Sequence, residues 1–419
     1  MRMIVSKGVM SNNYDVVVIG GGIAGSSLAH CLANGGVRVL LLEAETEFKD
    51  RVRGEVLCPW GVAEAKALGV KDAFLQAGGR EVRWLDQYLG SQQIEHRDFP
   101  ATTLTKTPLM TWYHPKMQTS LLNAAELAGA EVRRGVTVSS ITPGKPPRVV
   151  HGRNGGVEEI TGRLVVVADG RNSQFRRAAG FEVQREHQTL CITGVLMDSV
   201  PLAEDTFHMF TNPALGEITV WAPQGGGRGR AYLCYWKELR ARLQGDGDVT
   251  RLLQCLEWTG MVGRYFSAAK QAGPLATFDG ADTWVAHPYR EGVALLGDAA
   301  ASSDPTWGQG LALALRGTRI LRDALLQDGD WEASANEYAS EQNKVYEKVR
   351  MVTSWFRDFF LVTGAAADAR REQAFPLIGQ DPTRVPDLMF SGPEVPIDAN
   401  SRVRFFGEDV AASAQPRAS

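Results

Sequence analysis

YDVVVIGGGIAGSSLAHCLANGGVRVLLLE, from Tyr14 to Glu43, passes through three textures in 30 residues. A short β-branched run leads into a glycine turn. A helix of small and apolar residues follows and stops at glycine, and a second apolar run ends in an acid. Both runs are apolar throughout, as strands of a parallel sheet covered on both faces are, so the stretch predicts a βαβ unit. Gly20, Gly22 and Gly25 fall as GxGxxG between the first strand and the helix. The first glycine permits the tight turn, and the second lets backbone N–H groups approach a pyrophosphate. The third lets helix and strand pack closely. Glu43 ends the second strand, where a carboxylate can accept hydrogen bonds from an adenosine ribose. Strand, glycines, helix, strand and acid in this order predict a dinucleotide site, with Ala24 in its turn; a bare glycine-rich turn beside a surface glutamate is the competing use.

Further buried strands follow in LVVVADG (Leu164 to Gly170) and GVALLGDAA (Gly292 to Ala300). A helix from about Met117 to Leu127 leads into a strand from about Glu131 to Ile141, which carries Val138, a further cofactor-contact candidate. Two segments, Val82 to Thr105 and about Glu182 to Thr277, instead alternate polar and apolar residues and hold many aromatics, as half-buried antiparallel strands do. The chain from Trp331 to about Phe360 patterns as a helix, and the stretch from Pro376, rich in Pro, Asp, Ser and Ala, as irregular.

The 419 residues carry a formal net charge of -3, so no basic field draws a polyanion, and nucleic acid is excluded as a partner. Cys31, Cys58, Cys191, Cys234 and Cys255 lie far apart without a C-x-x-C pair, which predicts free thiols in a reducing compartment and no metal site. The opening MRMIVSKGVMSNNYD has no long apolar core and does not pattern as a signal peptide. No run of about 18 apolar residues predicts a transmembrane helix, so the expectation is a cytoplasmic protein.

Two more segments make the cofactor specific. ADGRNSQFRRAAG (Ala168 to Gly180) places Asp169 at a strand end, and GDAAASSDPTWGQG follows the strand at Gly292. Together with the glycine turn they resemble the signatures of the FAD-dependent aromatic-hydroxylase family, the single-component flavin monooxygenases. The resemblance implies FAD, with Asp298 bound to its ribityl chain and the loop holding Pro305, Trp307, Gly308, Gly310 and Leu311 beside its ring. A carboxylate accepts hydrogen bonds only and suits a polyol, and glycines allow close approach to a flat ring. RGEVLCPWGVAEAKALG (Arg53 to Gly69) resembles the family's segment after the ribose acid and makes Arg53 a flavin or pyrophosphate contact; exposure to solvent is its other use. Asp169 has helix or turn capping as its other use. One departure stands out: where the family places an arginine ahead of a helix, YHPKMQTSLL puts His114.

The implied fold is α/β: a Rossmann-type FAD-binding domain with an inserted antiparallel β-sheet substrate domain and a C-terminal helical segment. The expected bounds are 14–81, 106–181 and 278–330 for the FAD-binding domain, 82–105 and 182–277 for the substrate domain, and 331–419 for the closing helices and irregular tail. The implied reaction is insertion of one oxygen atom from O2 into an aromatic or polycyclic small molecule through a flavin hydroperoxide, with NADPH or NADH as reductant. The cofactor carries such chemistry, so no catalytic triad is needed; Pro305 and Trp307 are expected only to wall the cavity. Trp221 and Tyr235, among the sheet aromatics that include Phe207 and Tyr232, are the candidate substrate contacts, with Trp307. Two alternatives share the scaffold. A geranylgeranyl-reductase-like enzyme would reduce isoprenoid double bonds, and a flavin-dependent halogenase would need a W-x-W-x-I-P motif that WTGMVG (Trp258 to Gly263) does not supply. A separate flavin reductase as electron source, and a monomer or homodimer, are left open by the sequence.

Overall fold

The structure, a computed structural model, describes residues 14–153, 156–187 and 190–409. The opening stretch read for a signal peptide, up to residue 13, and the last ten residues of the tail lie outside the described residues.

The two apolar runs of the opening stretch become strands Val16–Ile19 and Val39–Glu43, parallel and in register from Val16 with Val39. Every residue of both is buried, which is why neither run alternates. They sit inside a six-stranded sheet in the order Tyr289–Arg290, Val293–Leu295, Leu164–Val167, Val16–Ile19, Val39–Glu43, Glu131–Arg134. All neighbours are parallel except the Tyr289–Arg290 edge. Helices Ile23–Asn34, His114–Leu127 and Gly310–Leu326 pack on one face, and the C-terminal ends of the central strands point at the glycine turn. In an open parallel sheet that edge is where a ligand is taken up.

The expected strand over Glu131 to Ile141 is divided. Gly135, at φ +69, turns the chain, and Val138–Thr142 joins Arg148–Arg153 and Gly156–Thr161 in a separate three-stranded antiparallel sheet.

The alternating segments form an eight-stranded sheet in which Leu190–Asp198, Arg228–Trp236, Glu217–Gly225 and Thr206–Asn212 are successive antiparallel neighbours. The strand Trp84–Leu89 joins its edge parallel to Thr206–Asn212, the one departure from an antiparallel sheet. More than 100 residues separate those strands, so no hairpin constrains their direction.

The last quarter of the chain is more ordered than its composition suggests. Trp331–Phe360 is one helix, as expected, but Ala365–Gln380 runs on as a helix through Pro376, and short helices at Leu388–Ser391 and Ala399–Phe405 follow. The expected irregular tail is therefore helical as far as Phe405. Its aromatic residues make up for its composition: Phe359 and Phe405 stack 4.8 Å apart, with Phe375 and Phe406 against Phe359. Among the described residues, no helix is long and apolar enough to cross a membrane.

Candidate functional site

The glycine turn is built by steric need at two positions and by open space at a third. A Cβ on Gly20, which holds φ +105, would stand 2.4 Å from the Ala168 carbonyl oxygen, and one on Gly25 would stand 2.0 Å from that of Gly20. Neither position admits a side chain without parting the strand from the helix. At Gly22 a Cβ would meet nothing within 4 Å, because that residue faces a cavity. Glu43 is buried and locked across the turn, its carboxylate accepting from Gly21 N at 2.6 Å and Glu45 N at 2.7 Å.

The cavity, about 310 Å³, runs from this turn to the eight-stranded sheet. Gly22, Ala24, Arg53, His114, Asp298, Pro305, Trp307, Gly308, Gly310 and Leu311 all line it, so chain segments as far apart as residues 22 and 311 meet there. At the turn end Arg53, Arg171 and Arg176 surround the Asp298 carboxylate. Burial raises the Asp298 pKa, and the three guanidinium groups oppose it. Arg171 spends its donors on carbonyls, those of Asp279 at 2.6 Å, Ala281 at 2.8 Å and Ser303 at 3.1 Å, which ties the DG segment to the loop after Asp298. Burial lowers the pKa of Arg53, which has no hydrogen-bond or ion-pair partner among the described residues.

Asp169 flanks the cavity beside its lining residue Gly170. Its Oδ1 is buried without a partner, as is Nη1 of Arg176, and burial raises its pKa. His114 lies against Gly54, its Nδ1–H donating to the Gly54 carbonyl at 2.7 Å, and burial pushes its pKa down, so the imidazole is neutral. The family arginine's charge is thus not replaced at this place.

These features fit FAD. Open space over Gly22 and Gly308 leaves room for a pyrophosphate and a flat ring, and unpaired buried donors and acceptors stand beside both. The helix Gly310–Leu326 directs its N-terminal dipole into the same cavity.

Beyond the loop the cavity is apolar. Ile192, Phe207, Met209, Val220, Tyr232, Cys234 and Phe278 come from the sheet, and Met389 and Phe390 from the short helix Leu388–Ser391. Trp221 and Tyr235 are not among them, which corrects the expectation for both. They point to the opposite face, where Trp221 packs on Phe266 and Tyr235 meets Thr193 and Arg240. The cause is strand parity: Val220, Tyr232 and Cys234 alternate with Trp221, Leu233 and Tyr235, and a shift of one residue exchanges the faces. Val138 also lies outside the lining, packed in the buried cluster with Leu42, Val136 and Ile141.

Trp307 is buried against Phe356 at 5.5 Å and Phe360 at 6.3 Å, so the aromatic helix supports the loop from behind. Trp307→Ala is expected to cost about 3–5 kcal/mol in urea unfolding. A loss below about 1 kcal/mol would show that those rings do not rest on it.

Three features carry no signal in the sequence. Gln309, fully buried, accepts from Trp60 Nε1 at 3.0 Å and donates to the carbonyls of Trp307 at 2.6 Å and Met389 at 3.1 Å. Arg230 forms a bidentate pair with Glu55, Nε to Oε2 at 2.6 Å and Nη2 to Oε1 at 2.8 Å, and also meets Asp50 at 2.9 Å. The third lies behind the loop, where Asp282 accepts from Asp304 N at 2.7 Å, and Asp304 in turn accepts from Thr306 N at 2.9 Å.

Burial, then the nearby Asp304, pushes the Asp282 pKa up to about 7. A carboxyl with a raised folded-state pKa contributes stability present at acid pH and lost as pH rises through that value. Asp282→Asn keeps the acceptor and removes the charge. The variant should therefore gain thermal stability over the parent at pH 8 and gain none at pH 5; equal shifts at both would refute the assignment.

This fold and cavity define an FAD-dependent oxidoreductase. The chain belongs to the FAD binding domain family, which matches residues 13–351. It is 26% identical over 396 residues to 6-methylpretetramide 4-monooxygenase of Streptomyces rimosus, covering 88% of this chain and 89% of that one. It is 28% identical over 324 residues to digeranylgeranylglycerophospholipid reductase 2 of Methanothermobacter thermautotrophicus, covering 73% and 76%. In structure it is similar to p-nitrophenol 4-monooxygenase PnpA of Pseudomonas putida DLL-E4, with a TM-score of 0.76, 19% identity, and coverage of 93% and 100%.

Proposed function

We propose that the protein is an NAD(P)H-dependent monooxygenase that places one oxygen atom from O2 on an apolar aromatic or polycyclic small molecule. The observation that carries this reading is the continuity of one cavity, polar and arginine-lined at the glycine turn and apolar where the sheet faces the loop. Bound FAD supplies the redox chemistry, taking electrons from the nicotinamide and passing them to oxygen. Asp298, Arg53 and the Gly22 backbone hold the cofactor, and Glu43 receives its ribose. The loop Pro305–Trp307 with Gly308 fixes the ring's position. Phe207, Met209, Val220 and Phe278 exclude water and hold a flat apolar substrate.

A second reading, reduction of isoprenoid double bonds, is favoured by the similarity to the archaeal reductase. Oxygen use separates the two. The purified flavoprotein is mixed with NADPH or NADH under air, and oxygen consumption is followed with and without candidate aromatics. Consumption stimulated by an aromatic supports the monooxygenase. Reduction by a separate partner alone, with no oxygen requirement, would overturn it.

A further inference from the structure

Of the seven side chains that the sheet contributes to the cavity lining, Tyr232 alone carries an oxygen. Its ring lies across Gly194 on the neighbouring strand, where a Cβ would come within 2.8 Å of it, so the glycine makes room for the phenol. Its hydroxyl donates to Glu55 Oε2 at 3.0 Å. Glu55 is itself fully buried and fixed by Arg230, which Asp50 also engages. The hydroxyl hydrogen is thereby committed to the carboxylate, and only the acceptor lone pairs of the oxygen are left for the cavity. Behind that oxygen, two carboxylates share one guanidinium, so the cluster is net negative.

Resting on the monooxygenase reading above, we propose that Tyr232 sets substrate class: its oxygen accepts a hydrogen bond from a neutral hydroxyl or amino substituent on the aromatic substrate, and the carboxylates behind it disfavour acidic substrates. A buried acceptor that a ligand fails to satisfy costs binding, whereas an ether of the same shape loses the bond and gains nothing. Burial raises the Tyr232 pKa well above the ordinary phenol value, so the group stays protonated and committed to Glu55 across the working pH range.

The test uses the FAD-loaded protein and three probes of one ring system: 2-naphthol, 2-methoxynaphthalene and 2-naphthoate. Dissociation constants are read from the visible difference spectrum of the flavin. The expected result is that 2-naphthol binds roughly tenfold tighter than the ether, with 2-naphthoate weakest. Tyr232→Phe should bring 2-naphthol to the level of the ether and leave the ether unchanged, with flavin content as the folding control. Equal binding of naphthol and ether by the parent protein, or tightest binding of naphthoate, overturns the inference while leaving the aromatic-substrate reading intact. The same holds if the naphthol preference survives in Tyr232→Phe. No spectral change with any of the three overturns the aromatic-substrate reading, and the inference falls with it. The parent comparison stands even where the variant folds poorly.

Discussion

Gly22→Asp is expected to yield a folded protein that purifies colourless. A side chain there enters open space, so strand and helix keep their packing. The carboxylate would stand where the pyrophosphate approaches the turn, and like charges so placed cost several kcal/mol, a loss of FAD affinity of at least about a hundredfold. Gly25→Ala should do the opposite. Its Cβ would lie 2.0 Å from the Gly20 carbonyl oxygen, so the helix must move, and thermal stability should fall by about 1–3 kcal/mol before cofactor is considered. Far-ultraviolet circular dichroism, thermal melting and flavin stoichiometry together separate the two outcomes. A Gly22→Asp protein that retains stoichiometric FAD would mean that the cofactor does not lie against this turn.

The second large effect is expected at Arg230. Arg230→Met leaves Glu55 fully buried without its guanidinium, and removing one partner of such a pair costs about 3–5 kcal/mol. Adding Glu55→Gln should recover a large part of that, because an uncharged amide no longer needs the cation. Urea unfolding of the single and double variants measures both quantities. A single-variant loss below about 1 kcal/mol would mean that the pair is screened by water and does not anchor the segment 50–55 to the sheet.

The glycine turn, the DG segment and the loop after Asp298 were legible in the sequence because each is a local run whose residue types answer to backbone geometry. Gly20 and Gly25 are needed where a Cβ would strike a carbonyl, and a strand with no polar face announces a parallel sheet. The substrate half was less legible. Aromatic enrichment located the sheet correctly, but Trp221 and Tyr235 and their lining neighbours Val220 and Tyr232 differ by parity or strand position alone. Composition says nothing about which face looks inward. The Glu55–Arg230 pair spans 175 residues and has no local pattern at all. The helices after Pro376 escaped notice because they are held by Phe359, Phe375 and Phe405 meeting across the chain rather than by helical propensity.

Gln309 joins Trp60, the Trp307 carbonyl and the Met389 carbonyl through one amide, and this has a bearing on the order in which the molecule is assembled during synthesis. Every residue of the cofactor cradle has been made once the ribosome passes Leu326, the end of the helix that starts at Gly310. The cavity still lacks the wall that Met389 and Phe390 provide, and Gln309 has not yet met its third partner. A nascent chain is therefore able to capture its flavin before it has a place to hold a substrate, and the reactive ring is shielded only when the last quarter of the polypeptide folds down over it.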